Sequence, residues 1–150
     1  MMERHPSLHP LSHDHHHGLV QARRLSRSAG QPQEEALQVV RAFLRFAHSA
    51  LREHFRVEEE VLLPALSPYL PIASDEQCQR MLQEHQQIWR HVDSLHSAIQ
   101  RNEIPMHLLA ETASLLERHI RFEEREMFPR LESLLSEEAL QELGEMLRGK

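Results

Sequence analysis

The chain has 150 residues, 40% hydrophobic and 27% charged, with a formal net charge of −6. That length suits one domain with a core of its own, which excludes a second independent domain, and the acidic balance excludes a nucleic-acid partner. One cysteine, Cys78, excludes an internal disulfide, and no apolar run approaches the length of a membrane span.

The arginines at 23, 24 and 27 are too local for a nucleic-acid-binding stripe and fit a solvated helix face. Residues 1–6 carry no apolar segment of the signal-peptide kind, so a cytoplasmic protein is expected. Glycine and β-branched runs are scarce while Leu, Glu, Gln, Arg and Ala abound, which favours helix over strand. There are 13 histidines, several of them crowded at His13, His15, His16 and His17. Asp14 interrupts that group and an apolar-periodic segment follows it, so it reads as native sequence rather than a purification tag.

Four long helices are predicted in chain order. The first covers about residues 11–27, where Leu11, His15, Leu19, Ala22 and Leu25 share a face and Gly30 and Pro32 close it. The second covers about residues 33–63, with Leu37, Val40, Leu44, Ala47, Leu51, His54, Glu58 and Val61 on one stripe. Pro64, Pro68 and Pro71 then break the chain. The third covers about residues 75–101, with Ser74 as its expected N-cap and Gln77 as the capping-box partner. Its stripe holds Cys78, Met81, His85, Ile88 or Trp89, Val92, Leu95 and Ile99. The fourth covers about residues 106–134, with Leu109, Ala113, Leu116, His119, Glu123 and Met127 on one face and a kink or stop expected at Pro129. Ser136 caps a short last helix to about residue 147. The expectation is therefore all-α: an antiparallel up-down-up-down four-helix bundle over about residues 11–134 with a short C-terminal helix, together one domain over 1–150.

The second and fourth helices share a motif. His54-Phe55-Arg56-Val57-Glu58-Glu59 returns as His119-Ile120-Arg121-Phe122-Glu123-Glu124, and two apolar residues and a proline follow each copy. Asp14-His15 and Glu84-His85 match likewise, so the chain reads as two copies of a helical hairpin. Residues four apart on a helix project from one face. A His and a Glu at that spacing can therefore ligate one metal or two adjacent metals. A lone His on an apolar stripe is usually a satisfied core residue. Four His and two Glu inside four apolar stripes are another matter, because burying them without a partner costs several kcal/mol per charge. Imidazole with bridging carboxylate suits a pair of irons, and six protein ligands leave open coordination positions for O₂ or another small molecule.

These motifs resemble the hemerythrin-like, or HHE cation-binding, family over about residues 11–134. The resemblance implies an antiparallel four-helix bundle holding two iron ions with an oxo or hydroxo bridge. By position it implies His15, His54, His85 and His119 as terminal ligands and Glu58 and Glu123 as bridging carboxylates, with no separate catalytic residue. The O₂-carrying members have a further His where this chain has Trp89. Their last helix spaces His and carboxylate by five, whereas Glu123 stands at four and Glu124 at five. The implied role is accordingly binding or sensing of O₂, NO, peroxide or iron rather than reversible O₂ storage. Di-iron peroxidase, catalase-like or NO-reducing chemistry and a structural metal-binding bundle are the alternatives. A homodimer or protein partner is left open. Asp14 and Glu84 are candidates to orient an imidazole N–H, and Glu59 and Glu124 are candidate acids just beyond the ligands, with Glu124 also a candidate bridge. Trp89 and Phe55 are candidates to cover the site or fill the core, core being the reading for Phe55. His13, His16 and His17 are expected at the surface or just outside the ligand set.

Overall fold

The computed structural model describes residues 3–149, and no strand occurs among them. A short turn, Pro6–Leu8, leads into α1, His9–Ser28. Helix α2 covers 33–66, α3 is Glu76–Arg101, α4 covers 106–134, and α5 is Glu137–Arg148. Helix α1 packs against α2 and α4, and α3 packs against the same two, so the four long helices form a closed ring of neighbours.

The faces predicted from spacing are the buried faces. Every residue of the α2 stripe is buried, from Leu37 to Val61, as is every residue of the α4 stripe from Leu109 to Met127. The core forms two apolar clusters. One joins Ala22 and Leu25 to Phe43, Leu51, Phe55, Ile88, Leu116 and Ile120. The other joins Leu8 and Leu11 to Val57, Met81, Phe122, Phe128 and Leu131, and α5 closes over it through Leu140, Leu143 and Leu147. Along each long helix the buried histidines and glutamates fall where one cluster gives way to the other.

Two boundary details, the α3 cap and the stop at Pro64, differ from expectation. Asp75, not Ser74, caps α3: its side chain accepts the Cys78 backbone N–H at 3.0 Å, while Ser74 belongs to the preceding turn Ile72–Ser74. The Asp75 carboxylate is also held by Arg130 at 2.7 and 2.9 Å, which fixes it in the capping position. Neither Pro64 nor Pro129 stops its helix. Each is preceded by a wide turn, Glu58–Leu62 and Glu123–Met127, in which the N–H five residues on bonds back to the carbonyl of Glu58 or Glu123. Proline lacks an N–H and crowds the carbonyl four residues earlier, and a wider turn relieves both demands without ending the helix. Asn102 ends α3 in the left-handed region at φ 58°, with its N–H and that of Glu103 closing on Ala98 and Ile99.

Candidate metal centre

The bundle brings together all six residues singled out by spacing. His15 comes from α1, His54 and Glu58 from α2, His85 from α3, and His119 and Glu123 from α4, and none is more than 4% exposed. Within α2 and α4 the i,i+4 spacing does what helix geometry requires. His54 Nε2 stands 3.1 Å from Glu58 Oε2, and His119 Nε2 stands 3.1 Å from Glu123 Oε2. Across helices, His15 Nε2 reaches Glu123 Oε1 at 2.7 Å and His85 Nε2 reaches Glu58 Oε1 at 2.9 Å. Each carboxylate thus faces one imidazole of its own helix and one from another.

The outer nitrogens are equally ordered. His15 Nδ1 meets Glu124 at 2.6 Å, His54 Nδ1 meets Asp14 at 3.0 Å, His85 Nδ1 meets Glu59 at 2.7 Å, and His119 Nδ1 meets Glu84 at 2.7 Å. An ionised carboxylate only accepts, so all four Nδ1 atoms carry the proton and donate. In the neutral ring this leaves the inward Nε2 lone pair available to an electrophile. The pairing crosses between helices: Asp14 orients His54 rather than its neighbour His15, and Glu84 orients His119 rather than His85. The four acids were legible as candidates, but their targets were not. Glu124 is occupied by His15 Nδ1 and by the Ser12 hydroxyl at 2.7 Å, which leaves the central carboxylate position in α4 to Glu123.

The two central carboxylates dominate the electrostatics of the centre. Burial alone pushes an imidazole pKa down. Here the carboxylates outweigh burial. His85 is raised to about 11, with Glu123, Glu58 and Glu59 acting against desolvation, and His119 is raised to about 9, chiefly by Glu123. His15 and His54 also move up against desolvation, drawn by Glu123 and Glu58 respectively. Glu123, which burial alone would raise, is held well below the usual carboxylate range, foremost by His119.

Four atoms show how well a metal fits. The Nε2 atoms of His54 and His119 and the Oε2 atoms of Glu58 and Glu123 are buried without a hydrogen-bond partner. The 3.1 Å approaches between them lack hydrogen-bond geometry, so polar atoms whose desolvation is costly are left facing one another. All four are metal-donor atoms. His15, His54, Glu58 and Glu123 each offer one such atom, all within 4.8 Å of one another, and Glu58, His85, His119 and Glu123 do the same. The two groups share both carboxylates, Glu58 and Glu123, and each could hold a metal ion.

Aromatic and apolar side chains enclose the centre. Phe55, expected as core filling rather than a cover for the site, stacks on His85 with ring centroids 3.8 Å apart and meets His119 edge-on at 5.6 Å. Phe128 stacks on His15 at 5.3 Å. Trp89 meets Phe55 edge-on at 5.9 Å, which places it one ring farther from the centre. A cavity of about 30 Å³ lies between α1, α2 and α4, walled by Gly18, Phe46, Leu51, Phe55, Leu116 and Ile120 and reaching His15, His54 and His119. Gly18 permits the close approach of α1 and α4 here, since a Cβ at that position would lie 2.7 Å from the tip of Ile120. His13, His16 and His17 are exposed, and none belongs to either donor group.

No curated protein and no solved structure matches the chain. A family match does exist, and it covers residues 8–131, described as the hemerythrin HHE cation binding domain. That span contains all four histidines, both shared carboxylates and the four acids that orient the rings, and the chain belongs to the hemerythrin HHE cation-binding family.

Proposed function

We propose that this chain is a non-heme di-iron protein that binds or senses a small molecule, O₂, NO or peroxide, at a centre held by His15, His54, His85, His119, Glu58 and Glu123. The observation that carries the reading is the pair of four-donor groups sharing Glu58 and Glu123. Imidazole nitrogen with bridging carboxylate oxygen is a donor set suited to iron. Bound iron, with an oxo or hydroxo bridge, would supply a redox-active Lewis acid with coordination positions that the protein leaves open. The chain's own residues do the rest. Asp14, Glu59, Glu84 and Glu124 hold each Nδ1–H and so fix the tautomer and the ring plane. Phe55, Leu51, Leu116 and Ile120 keep bulk water from the His54–His119 side.

The size of the adjoining cavity supports a small ligand. At about 30 Å³ it matches one water-sized molecule and excludes an organic substrate. The antiparallel up-down-up-down order of the four long helices belongs to this reading. It is supported by their ring of contacts and by the short links at 29–32 and 102–105. A single domain over 1–150 in the cytoplasm is part of it as well. No helix among the described residues is long and apolar enough to cross a membrane.

The test is elemental analysis and visible spectroscopy of the purified protein, followed by exposure to O₂, NO and hydrogen peroxide. About two irons per chain and a spectrum that changes stably with one of these ligands are expected. Zinc alone, or no metal after growth in iron-rich medium, would overturn the reading. Sustained peroxide turnover, lost in His54→Ala, would move it from binding to catalysis.

A further inference from the structure

His13 and His17 stand one helical turn apart on α1, both exposed, with their Nε2 atoms 3.2 Å from each other and their rings at 89°. The buried centre has no use for them. Between neutral imidazoles this contact is a single N–H···N hydrogen bond exposed to water, which contributes little. The spacing also fits chelation. Two nitrogens 3.2 Å apart and each about 2.1 Å from a shared ion subtend about 100° at that ion, between octahedral and tetrahedral angles. The i,i+4 spacing on a regular helix holds the pair in that relation before any ion arrives.

Location gives the pair a purpose. His17 and Asp14 line the same cavity that reaches His15, His54 and His119. Asp14 is also the acid that holds His54 Nδ1 at 3.0 Å. The six central residues are nearly sealed from solvent, at 0–4% exposed, so an ion bound for the centre must first meet a surface group. On the cavity side of α1, His17 and the exposed Asp14 are such groups, and His13 pairs with His17 one turn earlier.

We propose that His13 and His17 form an exposed two-imidazole site that captures a divalent first-row transition ion at the rim of the cavity and passes it inward. The proposal rests on the reading of the buried residues as a metal centre. The ion is of the class that prefers imidazole nitrogen, which excludes magnesium and calcium. Water completes its coordination, so it is held more loosely than an ion in the buried centre and can be released toward it. Either histidine alone would hold an ion at least roughly tenfold more weakly, because the second bond forms at the effective concentration of a tethered ring.

The test is a titration of the metal-free protein with Co²⁺, comparing wild type, the His13→Ala/His17→Ala double variant and His16→Ala as an exposed-histidine control. Stoichiometry at equilibrium and the rate of filling at limiting Co²⁺ are read together. The double variant is expected to bind one ion fewer than wild type and to fill its buried centre at least about tenfold more slowly, while His16→Ala behaves as wild type. Equal stoichiometry in wild type and double variant, or equal filling rates, would overturn the proposal. Failure of the underlying reading looks different: the double variant would then bind no ion at His15, His54, Glu58, His85, His119 and Glu123, whatever the wild-type surface pair does. All three side chains lie in solvent, so the variants fold as wild type does, which far-UV circular dichroism verifies.

Discussion

Glu123→Gln separates a shared carboxylate from one that serves a single position. Glu123 is fully buried, with Oε1 2.7 Å from His15 Nε2 and Oε2 3.1 Å from His119 Nε2. Removing one partner of a buried ion pair costs about 3–5 kcal/mol when the remaining charge is stranded. Gln keeps the shape and one acceptor, and the imidazoles can lose their protons, so the cost in the metal-free protein falls to about 1–3 kcal/mol. At about 2–4 °C per kcal/mol for a chain of this size, the metal-free melting temperature drops by about 2–12 °C. The larger effect is on metal. Glu123 belongs to both four-donor groups, whereas His119 belongs to one. Glu123→Gln should weaken both positions together, and His119→Ala should spare the group of His15, His54, Glu58 and Glu123. Iron at 100 times its dissociation constant adds about 2.7 kcal/mol per ion bound, or about 5 kcal/mol and about 11–22 °C for two ions in the wild type. That increment should vanish in Glu123→Gln. Thermal unfolding with and without iron, alongside iron per chain, measures both effects. A Glu123→Gln protein that still holds one ion at wild-type affinity would refute the shared-carboxylate argument. So would a His119→Ala protein that loses both ions together.

Other expectations follow from the same geometry. Asp14→Asn and Glu59→Gln should each lower metal affinity about 10- to 100-fold with little change in the metal-free fold, as measured by competition with a chromophoric chelator. Arg130 holds Asp75 down to about 2 from an unfolded value of 3.8. That pairing therefore contributes stability above about pH 4 and loses it as pH falls toward 2. After solvent screening it is worth about 1 kcal/mol, and Arg130→Ala should flatten that part of the acid-unfolding profile. A Cβ at Gly144 would lie 2.5 Å from Ser7 Oγ and 3.1 Å from the Ser7 Cα, so Gly144→Ala must push α5 off the first turn. Its expected cost is about 1–3 kcal/mol by denaturant unfolding, despite the better helix propensity of Ala. Gly30→Ala meets nothing within 4 Å and should be neutral or stabilising by up to about 1 kcal/mol.

Much of this protein is determined by local sequence alone. Helix geometry repeats every 3.6 residues whatever the tertiary context, so the apolar stripes, and the polar residues set within them, could be assigned from spacing. His54 with Glu58 and His119 with Glu123 are pairs that one helix makes by itself. Their repetition announced two similar hairpins, and Ser136 capped α5 as its position before Glu137 and Glu138 suggested. Tertiary structure decided the rest, because it depends on how far one helix is rotated and slid against the next. No spacing within α1 says that Asp14 reaches His54 in α2, or that Glu124 turns to His15 and leaves the centre to Glu123. Phe55 became a lid on His85 only because α3 brings that ring within 3.8 Å. The prolines were readable as disturbances, yet whether a helix ends there or widens and continues is settled by what packs around it. Here Leu66 and Leu131 are buried in the core beyond each proline, and that burial outweighs the cost of the wide turn.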